Sequence, residues 1–445
     1  MYPYITEIYL PCSEPFLKRT ERRKKLPNFE NAYLARPVHI IPWLRGSLIV
    51  SDFGIFFTEC EDIILSLDKG INIKNVSNNL NCQAELERLN AYGFIVFDSI
   101  KHKHENYITY NHSLERYRKL YSDYKYINFS LVPLVLEIDI TSKCNAFCIH
   151  CSRNAGINSK DTDQNSVESD ITTLSLKHLI LEAANMGAFD LQIMGGEPLV
   201  HPEILGILQY AKDCGFREPK LSTNGIAVNK SLTNELSKYL NNIQLSLHGS
   251  NSDIHDAIIM RNGAFKKAIK ALHLLIYSGL NVTVSCTVMQ NNRHDLRNLA
   301  ILAKESGASS VRFIALSNVG RGENLQQLFH YDREVIGKDL MEIYHSLSDD
   351  LFQVEIGGFP SPSPINNEAT FYGCAAGITH LHVFSNGKIN LCGSVSGEII
   401  DDWNNSNNLL CAWHSQYMKR RRRQLVCKCA YRQICSGLCR ADIAQ

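Results

Sequence analysis

The sequence has no run of about 18 uninterrupted apolar residues, roughly the minimum for a helix that spans a bilayer. Its N-terminus, MYPYITEIYLPCSEPF, lacks the basic start and apolar core of a secretory signal. Neither sign of charge prevails: 46 Lys and Arg stand against 45 Asp and Glu, a formal net charge of +1. So even a balance gives no reason to expect nucleic acid or a membrane as the main partner. These absences lead to the expectation of a cytoplasmic protein whose thiols stay reduced. The densest basic run, KRRRR at 419–423, reads as a solvated helix face, with attraction of an acidic peptide as the alternative.

What the sequence does have is cysteine, 15 among 445 residues. In a reducing compartment that number points to metal or catalysis more than to disulfides. Three fall within 144–151 and seven between Cys374 and Cys439. Cys12, Cys60, Cys82, Cys214 and Cys286 are scattered and read as small buried apolar residues. A polypeptide this long exceeds what one core supports, so two or three domains are expected.

The pattern along the sequence changes twice. Residues 1–35 are charged and irregular. SLIVSDFGIFFT then reads as two short strands around a turn, ECEDIILSLDKG as a helix ending at Gly70, and NIKNVSNNL and QAELERLNAYGFIVF as two more helices and a strand. Residues 1–100 thus form a helix-rich unit with a small β wing, and 101–130 a polar, Tyr-rich linker. From 131 to 325 apolar runs recur: LVLEIDIT, DLQIMGG, KLSTNG, IQLSLHG, NVTVSCTV and SVRFIAL, separated by helical stretches such as LSLKHLILEAANMG. Repeated β-then-α units predict a parallel sheet with outer helices, curling into a partial (β/α)6, TIM-like barrel. Residues 326–370 read as a bridging segment, helical and then loop-like, and 371–445 as a cysteine-dense C-terminal domain.

CNAFCIHC, at 144–151, follows the first of these strands, at the end where such folds build their sites. A structural zinc site is closed and takes four ligands, whereas this cluster offers three thiols. Three thiolates on an iron–sulfur cube leave one iron open to a small molecule. Zinc, or a redox cluster with a distant fourth ligand, is the alternative.

Cys144-x3-Cys148-x2-Cys151 resembles the signature of the radical S-adenosylmethionine (radical SAM) superfamily. MGGEP (194–198) looks like its segment that meets the methionine amino group, and STNG (222–225) like the segment near the ribose and carboxylate. SLHG followed by DIHDAIIMRNGAF resembles the stretch after the fourth strand in peptide-modifying members, with His248 where an Asp is usual; VGRG (319–322) also fits. The resemblance implies a 4Fe–4S cluster on Cys144, Cys148 and Cys151, with SAM on the open iron. Reductive cleavage would give a 5′-deoxyadenosyl radical that takes hydrogen from an unactivated C–H bond. It implies SAM contacts at His150, Gly195, Gly196, Glu197, Ser222, Asn224, Ser246 and Arg261. His150 stands where an aromatic commonly packs on adenine, and Glu197 would accept the ammonium. Their plainer readings are a loop histidine bonded to backbone and a carboxylate at a helix N-terminus.

The C-terminal pattern, Cys374-x12-Gly387-x4-Cys392 and then Cys427-x-Cys429-x5-Cys435-x3-Cys439, resembles the SPASM extension of peptide-modifying radical SAM enzymes. HVFSNGKINLC resembles its hairpin, with Asn386-Gly387 as the turn. Carry-over places Cys374, Cys392 and Cys439 on one auxiliary cluster and Cys427, Cys429 and Cys435 on a second. That makes six ligands where two complete clusters take eight, so one cluster is the alternative; a zinc ribbon is the plainer reading. Cys411 is a spare ligand or a buried helix-face thiol. The N-terminal unit resembles the PqqD-like recognition element, a winged-helix fold that binds leader peptides, with a structural cap as the alternative.

These resemblances imply a maturase of a ribosomally made peptide, with a leader-bearing precursor and a flavodoxin- or ferredoxin-type electron donor as partners. An oxidative carbon–carbon crosslink between side chains is favoured over a thioether; epimerisation and sulfatase-maturase-like oxidation of a protein Cys or Ser are further alternatives. A non-catalytic iron–sulfur or zinc scaffold is the reading from outside enzymology.

Overall fold

The computed structural model describes residues 31–34, 39–42, 47–51, 54–58, 67, 71–72, 80–91, 95–97 and 107–108. It then describes 130–424 apart from 157–168, 189, 217–218, 325–331, 360–370, 373–375, 395–398 and 407. The described residues fall into two compact units: the first holds those up to Pro133 together with 422–424, and the second holds Leu134–Arg421.

In the first unit, Ser47–Ser51 and Gly54–Thr58 form the expected hairpin, with Ser51 opposite Gly54. The sheet continues through His39–Pro42 to Tyr107–Ile108, and Gly54–Thr58 ends it on the other side. A second sheet sets Asn31–Leu34 between Ile71–Asn72 and Ile95–Phe97. The helix Leu80–Ala91 buries Leu86 and Leu89. Three expectations change here. Asn31–Leu34 is a strand rather than irregular backbone, Asn72 belongs to a strand rather than a helix, and the segment read as a linker contributes Tyr107–Ile108. Each is a short strand fixed by pairing with a distant partner, which local propensity does not record. The helix expected over 59–70 lies outside the described residues apart from Leu67.

The second unit is built on one sheet. Its parallel strands run in sequence order: β1 (Val135–Asp139), β2 (Asp190–Met194), β3 (Lys220–Thr223), β4 (Asn242–Ser246), β5 (Asn281–Val288) and β6 (Ser310–Ala315). These are the six strands expected from the apolar runs. Between them run α1 (Thr173–Met186), α2 (Ile204–Asp213), α3 (Lys230–Leu236), α4 (Ser252–Ile259), α5 (Ala264–Tyr277) and α6 (Leu296–Glu305). Side chains cap the starts of α1, α3 and α4, from Thr172, Asn229 and Asn251. Thr172 accepts from Ser175 N at 3.1 Å ahead of α1, and Gly187 closes that helix in the left-handed region at φ 95°. Alternate strand residues such as Leu136, Ile138, Leu191, Ile193, Val284 and Phe313 pack against the helices in one apolar core. Each such buried side chain contributes about 1.5–3 kcal/mol before entropy is counted.

The other strand face, turned away from the helices, is polar. Glu137 pairs with Gln192 and with His382, Gln244 with Thr283, and Arg312 with Glu355. A sheet that is apolar on one face and polar on the other has an inner wall suited to a polar ligand rather than to filling by side chains.

The segment read as a bridge adds to this sheet. The helix α7 (Arg333–Leu347) leads into β7 (Gln353–Gly357), parallel to β6, and β8 (Phe371–Tyr372) lies beyond it. At the opposite side, β9 (His380–Val383) pairs in parallel with β1, then turns through Asn386-Gly387 into antiparallel β10 (Lys388–Asn390). Gly387 holds φ +84°, and Lys388 N donates to Asn386 Oδ1 at 3.1 Å, the chemistry of a tight turn. The hairpin that begins the cysteine-rich extension is therefore part of the barrel sheet.

Candidate active site

β1 ends at Asp139, and the backbone leads into the 144–151 loop at the C-terminal edge of the sheet. Five other segments hold this loop and the residues that lead into it. Asp170 accepts from Thr141 Oγ1 at 2.7 Å and from Ser142 N at 2.9 Å. The MGGEP segment bonds to its backbone, Gly196 N to Thr141 O at 2.7 Å and Glu197 N to Lys143 O at 2.8 Å. Gly195 has φ +136°, and side chains on Gly195 and Gly196 would overlap the Thr141 and Lys143 carbonyls. The two glycines are thus required for this close approach.

The far side of the loop rests on the C-terminal end of α4. Phe147 N donates to Ile259 O at 3.1 Å and Ile149 N to Ile258 O at 3.0 Å, which satisfies carbonyls that a helix end leaves unpaired. Met260 stops that helix in the left-handed region at φ 57°, and Arg261 donates to the Asn145 carbonyl. Arg321, from VGRG, donates through its backbone to Cys151 O at 3.0 Å, through Nε to Cys148 O at 2.7 Å and through Nη2 to Ala155 O at 2.8 Å. Its guanidinium lies 4.0 Å from the centre of the Phe147 ring. Asn224, from STNG, donates to Asn145 Oδ1 at 2.7 Å and reaches Cys144 Sγ at 3.8 Å. Of the expected SAM contacts, Asn224 and Arg261 thus touch the cysteine loop itself, and Gly195, Gly196 and Glu197 meet residues 141–143 that lead into it.

Cys144, Cys148 and Cys151 are half-buried and free of disulfides. Burial, together with the charges of Cys151 and Cys144, pushes the Cys148 thiol up to about 12. Burial pushes Cys144 up to about 11. Thiols so disposed stay protonated at neutral pH until a metal displaces the proton. Among the described residues no three Cys, His, Asp or Glu side chains converge on a point as ligands of a single ion would. A cube takes each thiolate on a different iron, so its ligands stand farther apart. The three clustered thiols, with no fourth among their neighbours in the loop, fit an iron–sulfur cluster with one open iron.

Glu197 is buried, and burial pushes its carboxyl up to about 7. Opposing that, it accepts from Thr223 Oγ1 at 2.6 Å, Asn224 N at 2.7 Å and Leu199 N at 3.1 Å. An ionised carboxylate offers about four lone-pair positions, so one remains for a ligand ammonium. Glu197 is also the N-cap of the turn Pro198–Val200, so its plainer reading holds alongside. Ser222 and Ser246 sit half-buried at the ends of β3 and β4.

His150 heads a line of three rings. It meets His248 edge-on at 4.6 Å, and His248 stacks on His255 at 6.0 Å. Burial lowers His150 and His255 to about 4, and His248 well below its ordinary value, so all three are neutral. His248 Nδ1 accepts from Thr287 N at 3.2 Å, which leaves the ring proton on Nε2. His150 Nδ1 is buried and has no hydrogen-bond partner among the described residues, beside the cysteine loop.

Of the expected auxiliary ligands, Cys392 is half-buried and accepts from Ser394 N at 3.4 Å. Cys374, Cys427, Cys429, Cys435 and Cys439 lie outside the described residues. Cys411 is exposed on the helix Leu409–Trp413 rather than buried; Leu409, Ala412 and Trp413 take the inner face. Sequence reasoning missed Asp139, Arg153 and His382, a buried charged group beside the site; the signal was the two carboxylates in the otherwise apolar run LVLEIDI.

Residues 138–303 match the family model of the Radical SAM superfamily. The protein is 26% identical over 333 residues to the AdoMet-dependent heme synthase of Methanosarcina barkeri, covering 69% of this sequence and 91% of that protein. It is 30% identical over 201 residues to the mycofactocin maturase MftC of Mycobacterium tuberculosis, covering 44% of this sequence and 48%, about half, of that one. The crystal structure of Streptococcus suis SuiB bound to its precursor peptide SuiA shares the fold at a TM-score of 0.65 and 17% identity, over 92% of this protein and 96% of that one. Among the described residues no helix is long and apolar enough to cross a membrane. The sheet that carries the three-cysteine loop is a radical SAM domain, and the protein is a radical SAM enzyme.

Proposed function

We propose that the enzyme matures a ribosomally made precursor peptide, closing an intramolecular carbon–carbon bond between two side chains. When bound, the cluster and SAM supply a 5′-deoxyadenosyl radical that abstracts hydrogen from the peptide. The protein's own residues hold the site. Cys144, Cys148 and Cys151 would ligate three irons, Glu197 would accept the SAM ammonium, and the histidine line from His150 would wall one side. The observation that carries the reading is the convergence of the MGGEP, STNG, MRNG and VGRG segments on the cysteine loop. The peptide class is supported by what the mycofactocin maturase is named for and by the peptide bound to SuiB.

The crosslink removes two hydrogens, so the reaction needs an electron sink. Cys374, Cys392 and Cys439, with Cys427, Cys429 and Cys435, would hold one or two auxiliary clusters in that role. Thioether formation makes the same demand; epimerisation and sulfatase-maturase-like chemistry stay as alternatives. Residues 1–100 act as a PqqD-like element, with Gly54–Thr58, the terminal strand of its sheet among the described residues, offering an edge to which an extended leader can add. The partners are the leader-bearing precursor and a flavodoxin- or ferredoxin-type donor. Co-expression with a short reading frame beside the gene, followed by mass spectrometry, tests this. A loss of two hydrogens confined to the core peptide is expected, and an unchanged peptide under conditions that yield 5′-deoxyadenosine would sink it.

A second reading rests on the heme synthase match, which spans 91% of that protein. It predicts that a porphyrin precursor changes its absorption spectrum on incubation with enzyme, SAM and reductant, while peptides stay unaltered.

A further inference from the structure

Arg153 stands two residues beyond Cys151, and Gly393 directly follows Cys392. The Arg153 guanidinium donates through Nη1 to the Gly393 carbonyl at 3.1 Å and to Ser152 Oγ at 2.7 Å. Nε donates to Asp139 Oδ2 at 3.0 Å, and Nη2 reaches Asp139 Oδ1 at 3.4 Å. Nη2 also lies 3.4 Å from Met194 Sδ and 3.5 Å from His382 Nε2. A side chain on Gly393 would overlap the guanidinium and displace it from this position. His382, with no exposed side-chain surface, spans Asp139 at 3.0 Å and Glu137 at 3.2 Å.

Two carboxylates, a guanidinium and an imidazole are gathered here at the seam between β1 and β9. Well-packed apolar residues would stabilise such a seam as well or better. The charged set does something they cannot. It bonds the loop carrying Cys151 to the turn carrying Cys392, residues 240 apart in sequence for the Arg153–Gly393 bond, with the directionality of a five-donor fork.

We propose that Arg153 is a positioning residue that latches the Cys392–Gly393 turn to the Cys144–Cys151 loop and sets the reduction potentials of the iron sites on either side. This rests on the reading of Cys392 as an auxiliary-cluster ligand. Reduction adds negative charge at either site, so a fixed cation beside both loops favours the reduced forms. Asp139 and His382 orient that cation.

The test uses the full-length protein with Arg153→Met, which removes the charge, and Arg153→Lys, which keeps charge without the fork. In iron-free protein, iodoacetamide labelling of Cys392, mapped by mass spectrometry, should speed up about tenfold in both variants, corresponding to about 1.4 kcal/mol of lost latching. In anaerobically reconstituted protein, EPR-monitored redox titration should move the auxiliary midpoint to lower potential in Arg153→Met and largely restore it in Arg153→Lys. Unchanged labelling together with unchanged potentials, at wild-type circular dichroism, would overturn the proposal. Cys392→Ala separates the two ideas. Wild-type iron content in that variant would remove the ligand reading and with it the claim about potentials, whereas faster labelling in Arg153→Met would still support the latch.

Discussion

The Nε–H of Arg321 donates to the carbonyl oxygen of Cys148 across 2.7 Å, bonding the loop after β6 to the loop after β1. Arg321→Ala removes this bond, the bond to Ala155 and the contact with Phe147 together. Hydrogen bonds from a charged donor contribute about 1.5–3 kcal/mol each. The variant should lose most of its iron at the first site and make 5′-deoxyadenosine more than about tenfold more slowly. Arg321→Lys should recover little, because an ammonium cannot span both carbonyls. Iron assay and chromatography of the nucleoside check both statements.

Glu197 gives the site a pH dependence. Burial holds its carboxyl up at about 7 from an ordinary 4.5, so it becomes anionic only as the pH rises through about 7. SAM affinity of the reconstituted enzyme, followed by calorimetry, should therefore tighten across that interval, and Glu197→Gln should flatten the profile. Stability runs the other way. The folded state prefers the protonated acid, so this residue's contribution is complete below about 4.5 and fades as the pH approaches 7.

Gly196→Ala places a methyl group against the Lys143 carbonyl. The loop must move to admit it, so SAM cleavage should fall to background while far-UV circular dichroism stays that of the parent. Retained cleavage would show that the close approach is dispensable.

Met260 holds a left-handed conformation at φ 57° and is 58% exposed. Such a conformation costs a non-glycine residue about 1–2 kcal/mol, and little packing is lost on removal of an exposed side chain. Met260→Gly should raise the unfolding free energy of the iron-free protein by up to about 1 kcal/mol in a denaturant titration, since the freer unfolded glycine takes back part of the gain.

Deleting residues 1–100 should leave 5′-deoxyadenosine formation near the parent rate and sharply reduce turnover of a leader-bearing peptide. Equal loss of both activities would argue for a structural cap instead.

The barrel strands were legible because each places its apolar residues at alternate positions, as Leu136 and Ile138 do. The cysteine loop was legible because its thiols are neighbours in sequence. β7 was not: Val354 and Ile356, with Phe352 just ahead of the strand, alternate correctly, but polar flanks made the stretch read as loop. MGGEP and VGRG were visible as motifs, yet their service as backbone supports depends on distances fixed only in the folded protein. The latch was hidden for the same reason, since Arg153 and His382 meet across 229 positions. Which side of a short helix faces inward was equally hidden, so Cys411 was expected on the wrong one.

Because β9 hydrogen-bonds directly along β1, the barrel and the start of its cysteine-rich tail share one continuous backbone ladder. Truncation ahead of His380 would strip the first strand of a neighbour and leave its amides and carbonyls open to another molecule. A minimal catalytic fragment should therefore keep residues through Asn390; shorter ones should self-associate before they fail chemically.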